Sequence, residues 1–317
     1  MHGLQTIIKK ELADHFSSYR FVFLFALIAM VSLITVYMAG LTISRDLEGV
    51  AKPRYFFLML FTASGVSLSL TQFVALFGPL IGLILGFDMI NRERNEGTLS
   101  KLLAQPIYRD TVVNGKFLAG VTVISIMMVS IVLLITGLGL IMVGVTPGWE
   151  ELGRIALYLL LSILYISFWL GVAILFSIVF RNVATSALAA LATWLFFSFF
   201  IGLGANVVAS ALTPEADTNP LAMLQQVKIE RAVSLVSPME LYTSGILAIV
   251  DPMQRTTRSF IQIGRMEQIS LERFSGPLSL DQSVMVVLPY IITLIALTAV
   301  CFAVSYTVFM RQEIRSI

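Results

Sequence analysis

Charged residues are scarce in this chain of 317 residues. Asp, Glu, Lys and Arg make up 13% of it and hydrophobic residues 57%, whereas ordinary soluble domains carry about 25% charged residues. So little polar surface cannot cover a water-soluble globule, which excludes a soluble enzyme and a disordered chain. The net charge of +2 is dispersed along the sequence, which excludes the basic patch of a nucleic-acid-binding protein.

Histidine and cysteine are nearly absent as well. The two histidines, His2 and His15, precede the first apolar run, and the single cysteine, Cys301, lies inside the last one. An intramolecular disulfide is therefore impossible, and we expect no histidine metal or haem site within the membrane. No G-x-x-x-x-G-K-[ST] sequence occurs, so any nucleotide chemistry should belong to another subunit. We predict that the chain is not an enzyme and itself binds no cofactor or metal.

Six long stretches lack Asp, Glu, Lys and Arg, and each is long enough to cross a membrane. A helix needs about 20 apolar residues to cross about 30 Å of hydrocarbon. The six stretches are 21–44, 55–87, 117–149, 155–180, 182–214 and 282–310. We predict an all-α integral membrane protein with six transmembrane helices. In the fifth stretch, Gly202, Gly204 and Asn206 favour a break, with 205–212 as a short re-entrant piece.

The distribution of Lys and Arg orients these spans. With the N-terminus in the cytoplasm, the inner segments hold eleven Lys and Arg, and the short outer loops hold four, at Arg45, Lys52, Arg54 and Arg154. This asymmetry follows the positive-inside rule. We therefore predict a multi-pass protein of the plasma membrane with both termini in the cytoplasm.

The predicted topology divides the chain into four regions. Residues 1–20 form an N-terminal amphipathic interfacial helix, because apolar side chains from Leu4 to Phe16 recur at helical spacing. Residues 21–212 hold spans one to five and the cytoplasmic segment 88–116. Residues 213–281 form a helical extracytoplasmic segment, and residues 282–317 hold span six and the cytoplasmic tail.

One helix of the extracytoplasmic segment has a specific start signal. Ser237, Pro238 and Glu240 stand at the N-cap, N1 and N3 positions, which predicts a capping box. The helix should end near Val250, before Asp251-Pro252. At about 13 residues it is too short to span, so we expect it to lie along the outer face or to cap the spans.

The six stretches contain no buried charge but do contain helix-packing residues. Ion-coupled carriers usually keep ionisable groups within the membrane, so their absence argues against a carrier driven by protons or sodium ions. Gly78, Gly82 and Gly86 recur every four residues, which favours close packing of span two against a neighbouring helix. Gln72 and Asn206 could line a pathway, or could equally bond across helices.

The segment 88–116 is the most charged part of the chain. Apolar side chains at Leu99, Leu102 and Leu103 are interleaved there with Glu93 and Glu96. A simple solvated connector has no need of such an apolar stripe, whereas a segment that docks into a groove of another protein does. Helix-favouring residues run to Ala104, so we predict one helix here.

Three stretches of the chain together resemble the type-2 permeases of ATP-binding-cassette (ABC) exporters. They are IIKKELADHFSSYRF in the amphipathic helix, NRERNEGTLSKLLAQPIYRDTVVNGKFLAG after span two, and SPMELYTSG in the outer segment. The middle stretch is the most specific, because it carries Glu, Gly-Thr-Leu, Leu-Leu, Pro and Gly-Lys in the family's order. The most similar branch serves nitrous-oxide-reductase maturation and small multidrug or peptide exporters.

The resemblance implies that the chain is the permease subunit of an exporter, which forms the substrate pathway as a dimer. A cytoplasmic ATPase subunit that holds ATP and magnesium would drive it, and the partners would be this ATPase, a second permease copy or homologue, and the lipid bilayer. The region 93–104 would be the coupling helix that contacts the ATPase. The implied contact residues are Glu93, Arg94, Glu96, Gly97, Thr98, Leu99, Leu102, Leu103 and, as a second contact, Arg181.

Two other functions remain open on the sequence. One is a secondary transporter or channel that works alone, and the other is a membrane scaffold or assembly factor that transports nothing. Only family analogy favours export over import. The transported substrate does not follow from the residues, because an apolar pathway suits lipids, drugs and lipopeptides alike.

Overall fold

A computed structural model shows a bundle of long helices. The structure describes residues 2–46, 55, 57–62, 69–104, 108–144, 146–214, 220–251 and 279–312. Every regular element in these ranges is helical. The helices are α1 (His2–Phe16), α2 (Tyr19–Asp46), α3 (Met59–Thr62), α4 (Leu70–Gly86), α5 (Asn91–Asn95), α6 (Thr98–Leu103), α7 (Arg109–Val143), α8 (Trp149–Val179), α9 (Val183–Leu195), α10 (Ile201–Leu212), α11 (Pro220–Ser234), α12 (Pro238–Val250) and α13 (Leu280–Arg311).

The prediction of six transmembrane helices is confirmed. Six helices are long and apolar enough to cross a membrane, and they are Tyr19–Ile43, Leu70–Asn95, Arg109–Met142, Trp149–Val179, Val183–Leu212 and Leu280–Arg311. The second span is shorter than its apolar run, because its regular helix begins only at Leu70 after a Ser69 cap. The described residues before it, Tyr55 and 57–62, form a separate piece that contains α3.

Helix α8 is the centre of the bundle, and α4, α7, α9, α12 and α13 all pack against it. Its buried face carries the large side chains of Tyr158, Tyr165 and Trp169. At Gly82 of α4, an added Cβ would lie 2.5 Å from the carbonyl oxygen of Ile166, so the two backbones touch directly. Such close contact needs the small residues that the sequence places on this face of α4.

Span five is one continuous helical rod without the predicted break. Residues 205–212 belong to the regular helix α10, so the expectation of a re-entrant piece there is wrong. The irregularity lies earlier, where Phe196–Phe200 form a single π-helical turn between α9 and α10. At Gly202 and Gly204 an added Cβ would meet nothing within 4 Å, so these glycines mark neither a turn nor a close packing contact.

The helices α11 and α12 meet at an angle of 112°, and α12 enters the bundle. The Ser237 hydroxyl donates to the carbonyl of Phe197, in the middle of span five, over 2.7 Å. The ring of Tyr242 stacks on Tyr165, in the middle of α8, with 4.4 Å between centroids. The bounds predicted for this helix are confirmed, but it does not lie along the outer face or cap the spans.

The predicted capping box of this helix is also wrong. Ser237 occupies the N-cap position and Pro238 follows at N1, but the Ser237 side chain makes no capping hydrogen bond. Its hydroxyl is used instead to attach the start of α12 to span five. The tertiary contact therefore replaces the local one. Residues 252–278 of the predicted outer segment lie outside the described residues.

Arg154 is not the loop residue that the sequence predicts. It belongs to α8, is fully buried, and donates over 2.7 Å to the carbonyl oxygen of Ile249 in α12. It also donates over 3.0 Å to the Ser283 hydroxyl of α13 and over 3.2 Å to Glu150. A hydrocarbon layer of about 20 residues measured back from Val179 would end near residue 160, which would leave Arg154 just beyond it.

The N-terminal helix α1 is docked onto the start of α7. An added Cβ at Gly115 would lie 2.6 Å from the side chain of Ile7, so glycine permits the close approach. Glu11, one turn after Ile7, is also buried at this contact. The apolar stripe predicted for residues 1–20 is thus partly covered by the protein itself.

Candidate functional site

The segment between spans two and three contains two short helices rather than one. Helix α5 ends at Asn95, and α6 begins at Thr98. Gly97 between them has a φ of 69°, in the left-handed region that glycine adopts without strain and that commonly ends helices. Nothing lies within 4 Å of an added Cβ at Gly97, so the backbone conformation alone calls for glycine. The single helix predicted over 93–104 is therefore wrong.

One side of this segment is exposed and carries both signs of charge. Arg92 and Glu96 are exposed and form an ion pair of 3.0 Å, one helical turn apart. Gly97, Thr98 and Lys101 are exposed as well. Outside α5 and α6, Arg181 in the turn between α8 and α9 is exposed too.

The predicted second contact, Arg181, adjoins the first. The Asn95 side-chain amide of α5 donates to the carbonyl oxygen of Arg181 over 3.3 Å. The two predicted contact regions are therefore parts of one surface. We call it the charged face, and it consists of Arg92, Glu96, Gly97, Thr98, Lys101 and Arg181.

Other predicted contact residues lie beneath or beside the charged face. Leu99 is only 1% exposed and packs into the core, so its side chain supports the surface without forming part of it. Leu102 is half-buried, and the side chain of Leu103 lies outside the described part of the chain. Arg94 turns away and donates to the Gln312 side chain, which in turn donates to the carbonyl of Ile178 over 2.9 Å.

Glu93 points away from the charged face into the protein. Its Oε1 accepts from Lys10 of α1 over 2.9 Å and from Lys116 of α7 over 3.0 Å. Glu11 bonds to the same two lysines, at 3.0 Å and 2.8 Å. These four residues form a ring of two positive and two negative charges, which we call the charge ring. Lys10 also pairs with the exposed Asp14 over 3.3 Å. It joins α1, α5 and α7.

In the charge ring, the opposite charges offset the effect of burial on each other's pKa. Burial alone would raise the pKa of Glu11, but the charges and hydrogen bonds of Lys116 and Lys10 outweigh it, and the pKa lies below the ordinary 4.5. Burial would likewise lower the pKa of Lys10, but Glu93 and Glu11 raise it above its usual value. Glu11 and Lys10 are therefore held in their charged forms near neutral pH.

His15 borders the charge ring without joining it. Its Nε2 is buried and makes no hydrogen bond to the described residues. Burial lowers the pKa of His15 below 6.5, and the nearby carboxylate of Glu11 opposes this shift only in part. The imidazole is therefore neutral at pH 7.

The glycines predicted to pack helices line the contact between α4 and α8. Added Cβ atoms would lie 3.2 Å from the Ile166 side chain at Gly78 and 2.7 Å from the Cβ of Ala173 at Gly86. With Gly82, they form one strip along which the two helices approach. Helix α8 of the same chain fills this strip, so a helix of a partner cannot pack there.

The two residues predicted as possible pathway lining both have partners in the fold. The Gln72 carbonyl accepts from the backbone N–H of Ser69 over 3.0 Å and completes the cap of α4. Asn206 of α10 is half-buried and bonds to the side chain of Glu230 in α11. Both contacts are structural, and the second joins α10 to α11.

The sequence reasoning missed the inward role of Glu93 and its buried partner Lys116. Lys116 is 2% exposed, whereas a lysine at the edge of an apolar run is expected to reach outward to water. A usable signal was present in α1, where Glu11 falls on the same helical face as Ile7. A carboxylate on an apolar face calls for a buried cation. In the part of the chain that the structure describes, no three His, Cys, Asp or Glu form a metal-binding group.

The comparison with known protein families identifies the chain. The family model described as ABC-2 family transporter protein matches residues 5–314, nearly the whole sequence. None of the curated proteins matches the chain. With six apolar helices long enough to span a membrane, the chain therefore belongs to the ABC-2 transporter family, as a multi-pass membrane component of an ABC transporter.

Proposed function

We propose that this chain is the permease subunit of an ABC exporter in the plasma membrane. Two permease copies, or the chain and a homologue, form the substrate pathway. A separate cytoplasmic ATPase subunit, which holds ATP and magnesium, binds the charged face and drives the cycle. The observation that carries this proposal is the exposed charged face itself, on a member of the ABC-2 family whose six long apolar runs contain no Asp, Glu, Lys or Arg.

The chemistry of the charged face suits a protein groove better than lipid. Three of its members are basic (Arg92, Lys101 and Arg181), whereas Glu96 is acidic. Exposed pairs of this kind contribute little to stability but determine which partner binds and in what orientation. The buried Leu99 lies on the first turn of α6 and fixes the position of this surface. With this face in the cytoplasm, both termini are cytoplasmic too.

The dimer is supported by the apolar surface of span five. Its helices α9 and α10 bury little of themselves in the bundle, and the Phe200 and Val207 side chains are more than half exposed. An exposed apolar surface along a whole span is stable only against lipid or against another apolar surface. A second permease copy is the partner that the proposed function supplies.

Reversal of one charge on the charged face tests the proposal. The chain is co-purified with a co-expressed ABC ATPase, and complex recovery and ATP hydrolysis are measured for the wild type and for Glu96→Arg. Glu96→Arg removes the only acidic group of the charged face and should weaken the complex by at least about tenfold, or about 1.4 kcal/mol. Asp281→Arg is the matched control, because Asp281 is exposed on the first turn of α13, at the other end of the bundle.

The outcomes separate the candidate functions. Loss of binding in Glu96→Arg together with normal binding in Asp281→Arg supports the charged face as the ATPase contact. Normal binding and hydrolysis in Glu96→Arg would contradict it. Transport by vesicles that contain the chain but no nucleotide would identify a carrier that works alone. A chain that neither binds an ATPase nor transports would be a scaffold.

A further inference from the structure

The charge ring is asymmetric in a way that allows one member to leave. Lys10 and Glu11 lie on α1, and Lys116 lies on α7. These two helices are packed together through Ile7 and Gly115. Only Glu93 comes from α5, the helix that also carries the exposed Arg92 of the charged face. A movement of the charged face is therefore a movement of Glu93 relative to the other three residues.

The departure of Glu93 would leave no lysine unpaired. Glu11 already bonds to Lys116 over 2.8 Å and to Lys10 over 3.0 Å, and Asp14 pairs with Lys10 over 3.3 Å, so two carboxylates remain for the two lysines. Departure of Glu11 or of Lys116 would instead separate the packed helices. The ring thus has one separable member and three fixed ones. Removing a buried charge from its partners is costly mainly when a counter-charge stays behind unpaired, and here none does.

Exposure to water would also provide hydrogen bonds that Glu93 lacks in the charge ring. Its Oε2 is buried and has no hydrogen-bond partner among the described residues, while Oε1 accepts from both lysines. A carboxylate oxygen without a donor in a dry site loses the hydrogen bonds that water would supply. When Glu93 leaves the charge ring, water can supply those hydrogen bonds, which offsets the loss of its contacts with Lys10 and Lys116. Two states of similar free energy are what a switch requires.

We propose that Glu93 is a positioning residue, a latch that connects the ATPase-binding segment to α1 and α7. With α5 seated, Glu93 closes the charge ring. When the bound ATPase shifts the charged face, Glu93 leaves, and α1 and α7 are released from α5 as one packed pair. This inference rests on the proposed function for the cause of the movement, but the closed and open states of the ring belong to the chain alone.

Distance measurements between spin labels test the latch. In a Cys301→Ser background, one pair of labels is placed at Ala13 of α1 and at Ala104, which follows α6 and is not part of the charged face; both are exposed. The reference pair, Ala13 and the exposed Leu118 of α7, reports on the two helices that should stay together. In the purified chain, Glu93→Gln should shift the Ala13–Ala104 distances to longer values by several ångström and leave the reference pair unchanged. Glu93→Asp keeps the charge and should keep the short distances.

The complex with the ATPase provides the second arm. Trapping with ATP and vanadate should lengthen the Ala13–Ala104 distances of the wild type and produce little further change in Glu93→Gln. Unchanged distances in Glu93→Gln without nucleotide would overturn the latch and leave Glu93 a purely structural residue. A lengthening of both label pairs in Glu93→Gln would overturn it as well. Failure of the wild type to bind any ATPase would contradict the proposed function alone, because the first arm uses the isolated chain.

Discussion

Two clusters of charge hold opposite ends of this bundle, and they are built on different principles. Around Arg154, a single guanidinium donates to a backbone carbonyl, a hydroxyl and one carboxylate. The charge ring consists of two lysines and two glutamates, in which each lysine bonds to both carboxylates. In the first cluster, one guanidinium donates to groups on three helices, α8, α12 and α13. In the second cluster, two positive and two negative charges compensate one another.

The difference determines which end of the bundle can rearrange. The carbonyl of Ile249 is part of α12 and can leave Arg154 only if the helix itself moves. A side-chain carboxylate such as Glu93 leaves by rotation about its own bonds or by a small shift of a five-residue helix. We conclude that the Arg154 cluster is a brace, which fixes α12 and α13 to α8, and that the charge ring is the adjustable contact.

Arg154→Met should produce the largest loss of stability and is the most severe test of the brace. The change leaves the Ile249 carbonyl and the Ser283 hydroxyl without their donor in a buried site, and removal of one partner of a buried ionic group costs about 3 kcal/mol. We expect a clear fall in the midpoint of thermal unfolding in detergent. Arg181→Met makes the same change at an exposed position and should alter stability by no more than about 0.5 kcal/mol.

The comparison of the two ends would fail if both variants unfolded at the temperature of the wild type. Arg154 would then be a buried charge without a structural task, and its contacts could exchange as those of the charge ring do. A loss in Arg154→Met that equals the loss in Arg181→Met would have the same meaning.

Gly82→Ala should have a smaller effect, on the helix contact between the two clusters. An added Cβ would lie 2.5 Å from the Ile166 carbonyl oxygen and 2.7 Å from the Leu170 nitrogen. Since both atoms belong to the backbone of α8, the helices must separate, and overpacking of this kind costs about 1–3 kcal/mol. Thermal unfolding in detergent measures the loss.

Gly202→Ala is the control for this change. Nothing lies within 4 Å of an added Cβ there, and alanine favours a helix over glycine by up to about 1 kcal/mol, so this variant should be as stable as the wild type or more so. If Gly82→Ala behaved in the same way, the contact between α4 and α8 would be loose, and the two clusters would not be joined by a rigid pair of helices.

The sequence predicts the spans well because long apolar runs report membrane helices directly, and it predicts the bounds of α12 from Ser237-Pro238 at one end. It does not predict the use of Ser237, because the Phe197 carbonyl that its hydroxyl reaches lies 40 positions away in the chain. Arg154 is mistaken for a loop residue for the same reason. Its partners Ile249 and Ser283 come from distant segments, and no local sequence pattern predicts these contacts.

The charge ring shows the same limit at the candidate site. The exposed members of the charged face follow from local composition, since a segment rich in charge is exposed by default. The inward turn of Glu93 depends on Lys10, 83 positions away, and on the docking of α1 against α7. Glu93 therefore faces the charge ring, whereas Glu96, three residues later, faces open surface. Nothing in the local sequence distinguishes these two glutamates.

His15→Gln should produce the smallest effect, which appears only as a dependence on pH. Burial lowers the pKa of His15 in the folded chain below 6.5, its value when unfolded. As the pH falls below 6.5, the unfolded state takes up the proton first, so the free energy of unfolding decreases until the pH reaches the pKa of the folded chain. The loss amounts to at most about 1.4 kcal/mol per pH unit. Glutamine stays neutral, so His15→Gln should flatten the fall in unfolding temperature between pH 7 and pH 5.5.

Glu11→Gln separates this effect from the charge ring. The pKa of Glu11 lies below 4.5 in the folded chain, so the stability that its charge contributes is present above pH 4.5 and is lost only as the pH falls below that value. Glu11→Gln should therefore lower the unfolding temperature at all pH values from 7 to 5.5. It should not flatten the slope in that window, because loss of the Glu11 carboxylate lowers the pKa of His15 further. A flattened slope in Glu11→Gln would mean that His15 and the charge ring titrate as one unit, and the ring would then be a pH-dependent contact as well as a movable one.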